Sequence, residues 1–196
     1  MNEYLDGTLL VAPPKMVDWR FRKSVVYIWK HDVGGAAGVI INKPMLAPTF
    51  ENICLEGKII KDKNISPLIH YGGPIFTNMI GCLHTDDYKL KTTNIPNSRP
   101  VGFTMDRTAI IDIAKKNGPK RYVLTMGMAS WFAGQLESEM DPVPPHPTSL
   151  SWLVLNFDKD LCFSGTLKNT WEKCVELAIQ QKSKSIVDNV FKKGKC

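Results

Sequence analysis

The sequence predicts an α+β fold in a single compact domain, and two observations carry that expectation. Strand-like runs rich in β-branched and aromatic residues are mixed with runs of helical periodicity, and they do not alternate strictly as in a doubly wound sheet. The chain has 196 residues, 43% of them hydrophobic and 22% charged, enough for one sizeable core with an ordinary soluble surface. The domain is expected to span residues 1–180, with 181–196 as a basic helical tail.

Each element has its own signal. Residues 7–12 are a short apolar strand closed by Pro13 and Pro14, which cannot donate to a ladder. Residues 16–21 form a loop carrying Trp19, and 24–29 are β-branched and aromatic, as in a strand covered on both faces. The glycine-rich residues 31–38 read as the turn of a hairpin, with the returning strand at 39–41 ended by Asn42, Lys43 and Pro44. Thr49 caps a short helix with Phe50, Ile53 and Cys54 inward and Gly57 as its stop. Residues 69–71 lead into Gly72, Gly73 and Pro74, and 80–84 return as a strand. Residues 86–98 read as a polar loop and 100–103 as weakly strand-like.

The clearest helix is 104–118: a Thr104 cap, Asp106 in the first turn, and Ala109, Ile110, Ile113 and Ala114 on one face. A buried-type strand at 121–125 follows, and residues 126–140 are expected to pass through two glycines into a helix N-terminus. Residues 141–147 are a proline-rich loop, and 152–157 resume as a strand. From Asn169 the spacing of Trp171, Cys174, Val175, Ala178 and Ile179 is helical; a second apolar set from Ile186 follows a polar bridge at 180–185.

Composition narrows the function classes. No window approaches the ~18 apolar residues of a membrane helix, and the acidic start, with Glu3 and Asp6, lacks an apolar signal region, so a cytoplasmic location is expected. The five cysteines form an odd set without a C-x-x-C pair and read as free thiols. The net charge of +6 permits contact with nucleic acid, but lysine outnumbers arginine, and helix-turn-helix, zinc-finger and basic-zipper patterns are all missing. The basic tail, 182–195, is the nucleic-acid candidate; its alternative is a solvated helix end favoured by the dipole.

For chemistry, His84 ends a strand beside the glycine–proline turn, where a general base or ligand would sit, or else a hydrogen-bonded core histidine. Ser130 lacks the G-x-S-x-G spacing of a nucleophile elbow. The enzyme alternative therefore joins His84 with Glu137 or Ser130 in a shared cleft. His31 and His70 lack an H-x-H or H-E-x-x-H partner, so no metal or other cofactor is expected. Neither glycine cluster has phosphate-loop spacing. The favoured recognition surface gathers Asn42, Gly72, Gly73, His84, Trp131, Gly134, Gln135 and Glu137 into a hollow for a protein or a small polar ligand; the alternative is that Trp131 and Leu136 anchor the core.

These segments carry a resemblance over roughly the first 175 positions. Gly7-Thr-Leu-Leu-Val-Ala-Pro13, Phe21-x-x-Ser-Val-Val-Tyr27, Gly35-Ala-Ala-Gly-Val-Ile-Ile-Asn-Lys-Pro44, Gly72-Gly-Pro74 with Leu83-His84, and Trp131-x-x-Gly-Gln-Leu-Glu137 occur in one order at family-like spacings. The chain resembles the AlgH/YqgE-like family. The resemblance implies a single α+β domain on a mixed, bulged sheet and little about activity; the leading expectation is a non-enzymatic binding or regulatory protein of this type. Members are traditionally labelled transcriptional regulators, after a link to alginate regulation, with no biochemical role established. Three departures stand out: Trp152-Leu153 is displaced by the proline-rich loop, Gly127-Met128 replaces a Gly-Tyr pair, and the tail beyond Ala178 is more basic.

Overall fold

A computed structural model of the chain describes residues 4–96, 100–141, 151–163 and 169–193. Its elements in chain order are β1 (Leu9–Val11), β2 (Val25–Asp32), β3 (Gly35–Ile40), α1 (Phe50–Glu56), β4 (Ile69–Tyr71), β5 (Ile75–Thr85), β6 (Val101–Thr104), α2 (Arg107–Ala114), β7 (Tyr122–Phe132), α3 (Gln135–Met140), β8 (Leu153–Leu155), α4 (Lys159–Phe163) and α5 (Thr170–Lys193). The eight strands make one sheet in the order β6-β5-β7-β3-β2-β1-β8, with β4 paired to β7. Only the β4–β7 pairing is parallel, so the sheet is mixed.

β7 is the axis of this arrangement. Its first half lies between β5 and β4, with Leu124 opposite both Cys82 and Ile69. Its second half pairs with β3, so that Trp131 lies opposite Ala36. The ladder is bulged where β5 leaves it: Ile80 faces Met126 and Ile75 faces Met128, so five steps along β5 span two along β7. The extra residues are exposed, and Phe76 holds φ at 51°, an outlier for a bulky side chain.

Three apolar clusters cover the two faces. On one face Leu9, Tyr27, Val39, Leu83 and Phe103 meet Cys162 of α4 and Cys174 and Ala178 of α5. The other face is divided. Val26, Ile28, Ile40 and Trp131 pack on Leu136 of α3 and on Trp152, whereas Cys82 and Leu124 pack on α1 and α2. The alternation along β2, Val25 and Tyr27 to one side and Val26 and Ile28 to the other, places apolar residues on both faces, as expected for a doubly covered strand. The fold is therefore α+β.

Several boundaries differ from the sequence reading, each for a tertiary reason. The glycine–alanine run belongs to β3 from Gly35, because the neighbouring strands leave room only for small residues: a Cβ on Gly38 would stand 2.7 Å from the Tyr27 carbonyl oxygen. β7 does not stop at Thr125 but continues to Phe132, so Trp131 lies on a strand rather than at a helix start. The α2 cap is Asp106, whose side chain accepts from Thr108 N–H, and Thr104 instead accepts from the Asp106 N–H. α5 runs through the polar stretch 180–185 without a break. The proline-rich loop lies outside the described residues apart from Asp141, as do His146 and Cys196.

Candidate functional site

The structure separates the residues that the sequence nominated together. His84 faces Tyr122 at the beginning of β7, while Glu137 follows the end of that strand. At ~3.3 Å per residue, the ten steps from Tyr122 to Phe132 set them roughly 30 Å apart. Ser130, exposed and opposite Ala37, is also distant from His84. A cleft shared by His84 with Glu137 or Ser130 does not form.

His84 is fully buried; its Nδ1–H donates to the Thr85 carbonyl at 2.9 Å, and the Tyr88 ring meets it edge-on. Burial pushes its pKa below the ordinary histidine value, with the Thr85 carbonyl opposing more weakly. That is a core histidine.

Asn42 is spent on the backbone. Its Oδ1 accepts from Val25 N–H at 2.8 Å and its Nδ2 donates to the Lys23 carbonyl at 2.8 Å, closing the entry to β2. Gly72 continues the ladder, donating to the Met126 carbonyl and accepting from Ile40 N–H. A Cβ on Gly73, at φ 149°, would lie 2.3 Å from the Met128 carbonyl carbon, and one on Gly35, at φ 120°, would lie 2.2 Å from the Trp131 carbonyl oxygen. Both glycine corners converge on β7 and press into its backbone.

Trp131 is 5% exposed and packs with Trp152 and Phe21. The polar hub there is Glu139, a residue that local spacing does not mark. Its carboxylate accepts from Trp131 Nε1 at 3.0 Å, Trp152 Nε1 at 2.9 Å and Gln135 Nε2 at 3.0 Å. Gln135 in turn accepts from Phe132 N–H, closing the turn over Gly134, which caps α3 at φ 74°. Glu137 accepts from His31 Nε2 at 3.1 Å; His31 Nδ1 accepts from Leu5 N–H at 2.9 Å, so the ring proton sits on Nε2 and both ring nitrogens are hydrogen-bonded. This corner is a framework that ties α3, β7, β2 and the N-terminal segment together.

An open groove lies elsewhere, where β5 bulges away. A hollow of about 370 Å³ between α1, the bulge and α2 is lined chiefly by Met79, Met105, Met126, Ile53 and Ile110, with Glu56, Asn78 and Arg107 among its polar residues. Arg107 donates to the Gly57 carbonyl, which fixes the guanidinium beside the helix end. Met105 also lines a second hollow of about 340 Å³, formed with Trp29, Phe103 and Met128. Phe76 and Met79, 56% and 42% exposed, stand on the bulge. No local signal marks this groove, because its methionines come from three separate stretches. Among the described residues no three His, Cys, Asp or Glu side chains are placed to hold a metal ion, and no helix is long and apolar enough to cross a membrane.

The structure thus defines a class: an α+β domain on a mixed, bulged sheet, with a methionine-lined groove between α1, the β5 bulge and α2. Comparison with known proteins gives the family. The AlgH-like family model matches residues 9–182, and the chain belongs to that family. Its relatives include a UPF0301 protein of Methylocella silvestris, 34% identical over 181 residues, covering 88% of this chain and 84% of the relative. Another is a UPF0301 protein of Rhodopseudomonas palustris, 32% identical over 182 residues, covering 89% and 80%. The fold is similar to the solution structure of the AlgH protein from Pseudomonas aeruginosa, with a TM-score of 0.72 and 24% identity over 90% of each chain. It is also similar to a crystal structure of a Corynebacterium diphtheriae protein, with a TM-score of 0.64, 19% identity, and coverage of 87% and 85%. The family is one of unknown biochemical function, and the likeness to these two structures shows the fold.

Proposed function

We propose that the protein is a non-enzymatic binding protein that takes a small, largely apolar ligand in the groove between α1, the β5 bulge and α2. The observation that carries this reading is the groove itself. Its volume of about 370 Å³ falls within the ~300–1,000 Å³ common for ligand pockets, and an apolar lining with a few convergent polar groups is the usual chemistry of such sites. Methionine suits an adaptable surface, since its unbranched thioether fills irregular shapes. The strained Phe76 supports the same reading: an outlier of this kind persists only where its surroundings impose it, and such outliers gather at ligand sites. Expectation therefore moves from a small polar ligand beside Trp131 to an apolar one beside Met79.

The test is a fluorescence titration with 8-anilinonaphthalene-1-sulfonate, an apolar dye carrying one anionic group. The proposal expects one saturable site, weakened at least about tenfold by Met79→Glu, because a charge forced against the apolar lining costs more than ~1.4 kcal/mol. Ile186→Glu, on the exposed face of α5, leaves binding intact. Absence of saturable binding, or an unchanged affinity in Met79→Glu, defeats the reading.

A further inference from the structure

A separate surface carries a different chemistry, independent of the apolar groove. The loop between β1 and β2, residues 13–23, contains Lys15, Arg20, Arg22 and Lys23 against the single anion Asp18, so +3 of the chain's net +6 lies in this short stretch. The loop forms one wall of a hollow of about 530 Å³ whose lining includes Lys15, Val17, Arg22, Lys23 and Trp171. Trp171 is a fixed wall: its Nε1 donates to the Ala12 carbonyl at 2.7 Å, and the Lys23 ammonium sits 5.3 Å over its ring. Trp19, on the same loop, is 74% exposed and Val17 67%.

The cations are available. Arg22 is oriented by the carbonyls of Met16 and Val17, contacts that leave its charge uncompensated. Lys23 pairs with Glu172 at 3.3 Å, but both side chains are largely exposed, and surface pairs of this kind contribute little. Arg20 is the one held tightly, by Asp18 at 2.7 Å, a contact between the two residues that flank Trp19 in the loop.

We propose that this hollow binds single-stranded nucleic acid, with Lys15, Arg22 and Lys23 on phosphates and Trp19 stacked on a base. Cations interleaved with exposed indole are the chemistry that holds an unpaired strand, whose bases are free to stack. A duplex hides those faces and is read by a helix or ribbon entering its groove, whereas this surface is a concave loop. A flat anionic membrane would leave the hollow unfilled, and inserting Val17 and Trp19 would carry the adjoining Asp18–Arg20 pair out of water.

The experiment is fluorescence anisotropy of a labelled polythymidine strand of about 15 nucleotides, near the upper site size for one small domain. With three phosphate contacts, the slope of log affinity against log salt is expected near −2, at ~0.7 per contact for single strands. Lys15→Gln makes that slope shallower by about 0.7. Trp19→Ala, a change at an exposed side chain that leaves the fold intact, weakens binding about tenfold, as expected for one stacked base. A Lys182→Gln/Lys184→Gln variant on α5 binds like the wild type. The proposal is overturned by an absence of saturable binding at low salt, by an affinity indifferent to Trp19→Ala, or by a salt slope indifferent to Lys15→Gln. It is also overturned if the α5 variant abolishes binding, or if phosphatidylserine vesicles bind while the strand does not.

Discussion

Glu139 is the residue whose loss should reveal what the α3 corner is for. Its carboxylate is the acceptor for two indole N–H groups and one amide, at 2.9 to 3.0 Å. Trp131 and Trp152 are 5% and 4% exposed, so water does not readily replace the lost acceptor. Each buried donor left without a partner costs ~1–3 kcal/mol. Glu139→Ala strands two of them, which gives a loss of about 4 kcal/mol, a large share of the ~5–15 kcal/mol that holds an ordinary domain together. Glu137→Ala removes only the bond to His31 Nε2, on a side chain about one-third exposed, and should cost about 1 kcal/mol. Urea unfolding followed by far-UV circular dichroism, compared at equal slope, measures both differences. If Glu139→Ala lies within about 0.5 kcal/mol of the wild type, or if Glu137→Ala proves the costlier change, the corner is not the framework described.

Other consequences follow from burial and close approach. Gly73→Ala places a methyl 2.3 Å from the Met128 carbonyl carbon and should abolish soluble expression or lower the urea midpoint sharply, whereas Gly134→Ala, with open space around its Cβ, should cost only ~1–2 kcal/mol for its left-handed backbone. Burial pushes the pKa of both His70 and His84 below 6.5, the Leu124 carbonyl giving His70 only weak support. The unfolded chain then takes up protons first as the pH falls through 6.5, so stability is lost below about pH 7 until the folded values are passed. The urea midpoint should drop between pH 7.5 and 5.5, and His70→Phe should flatten that drop. Burial also pushes the thiols of Cys82 and Cys162 far up, and that of Cys174 to about 11. In a Cys196→Ser variant, Ellman's reagent at pH 8 should find these thiols unreactive until the protein unfolds. A fast reaction in the native state would contradict their placement.

Local signals were legible where local physics decides. Thr49 caps α1 through a capping box with Asn52, and α2 buries Ala109, Ile110, Ile113 and Ala114, the face its periodicity marked. The boundaries that moved were set by contacts distant in sequence. Gly35 to Gly38 resembles a turn until β2 and β7 are seen to crowd it, and the second half of β7 resembles a helix entry until β3 pairs with it. The candidate site misled for the same reason. Tryptophan, glutamine and glutamate beside a glycine have the composition of a binding surface, yet here the Trp131 indole and the Gln135 amide donate to Glu139 and Glu137 bonds to His31. Spacing cannot show that Glu139 reaches two indoles, nor that Met79, Met105 and Met126 share one groove.

The most direct test of this division between framework and binding face is a methyl spectrum of the protein labelled with ¹³C at its methionine methyl groups, titrated with 8-anilinonaphthalene-1-sulfonate. The groove predicts shifts at Met79, Met105 and Met126, with Met16 and Met140, which pack in the α3 corner, unmoved. Shifts concentrated at Met16 and Met140, with the groove methionines silent, would place recognition beside Trp131 after all.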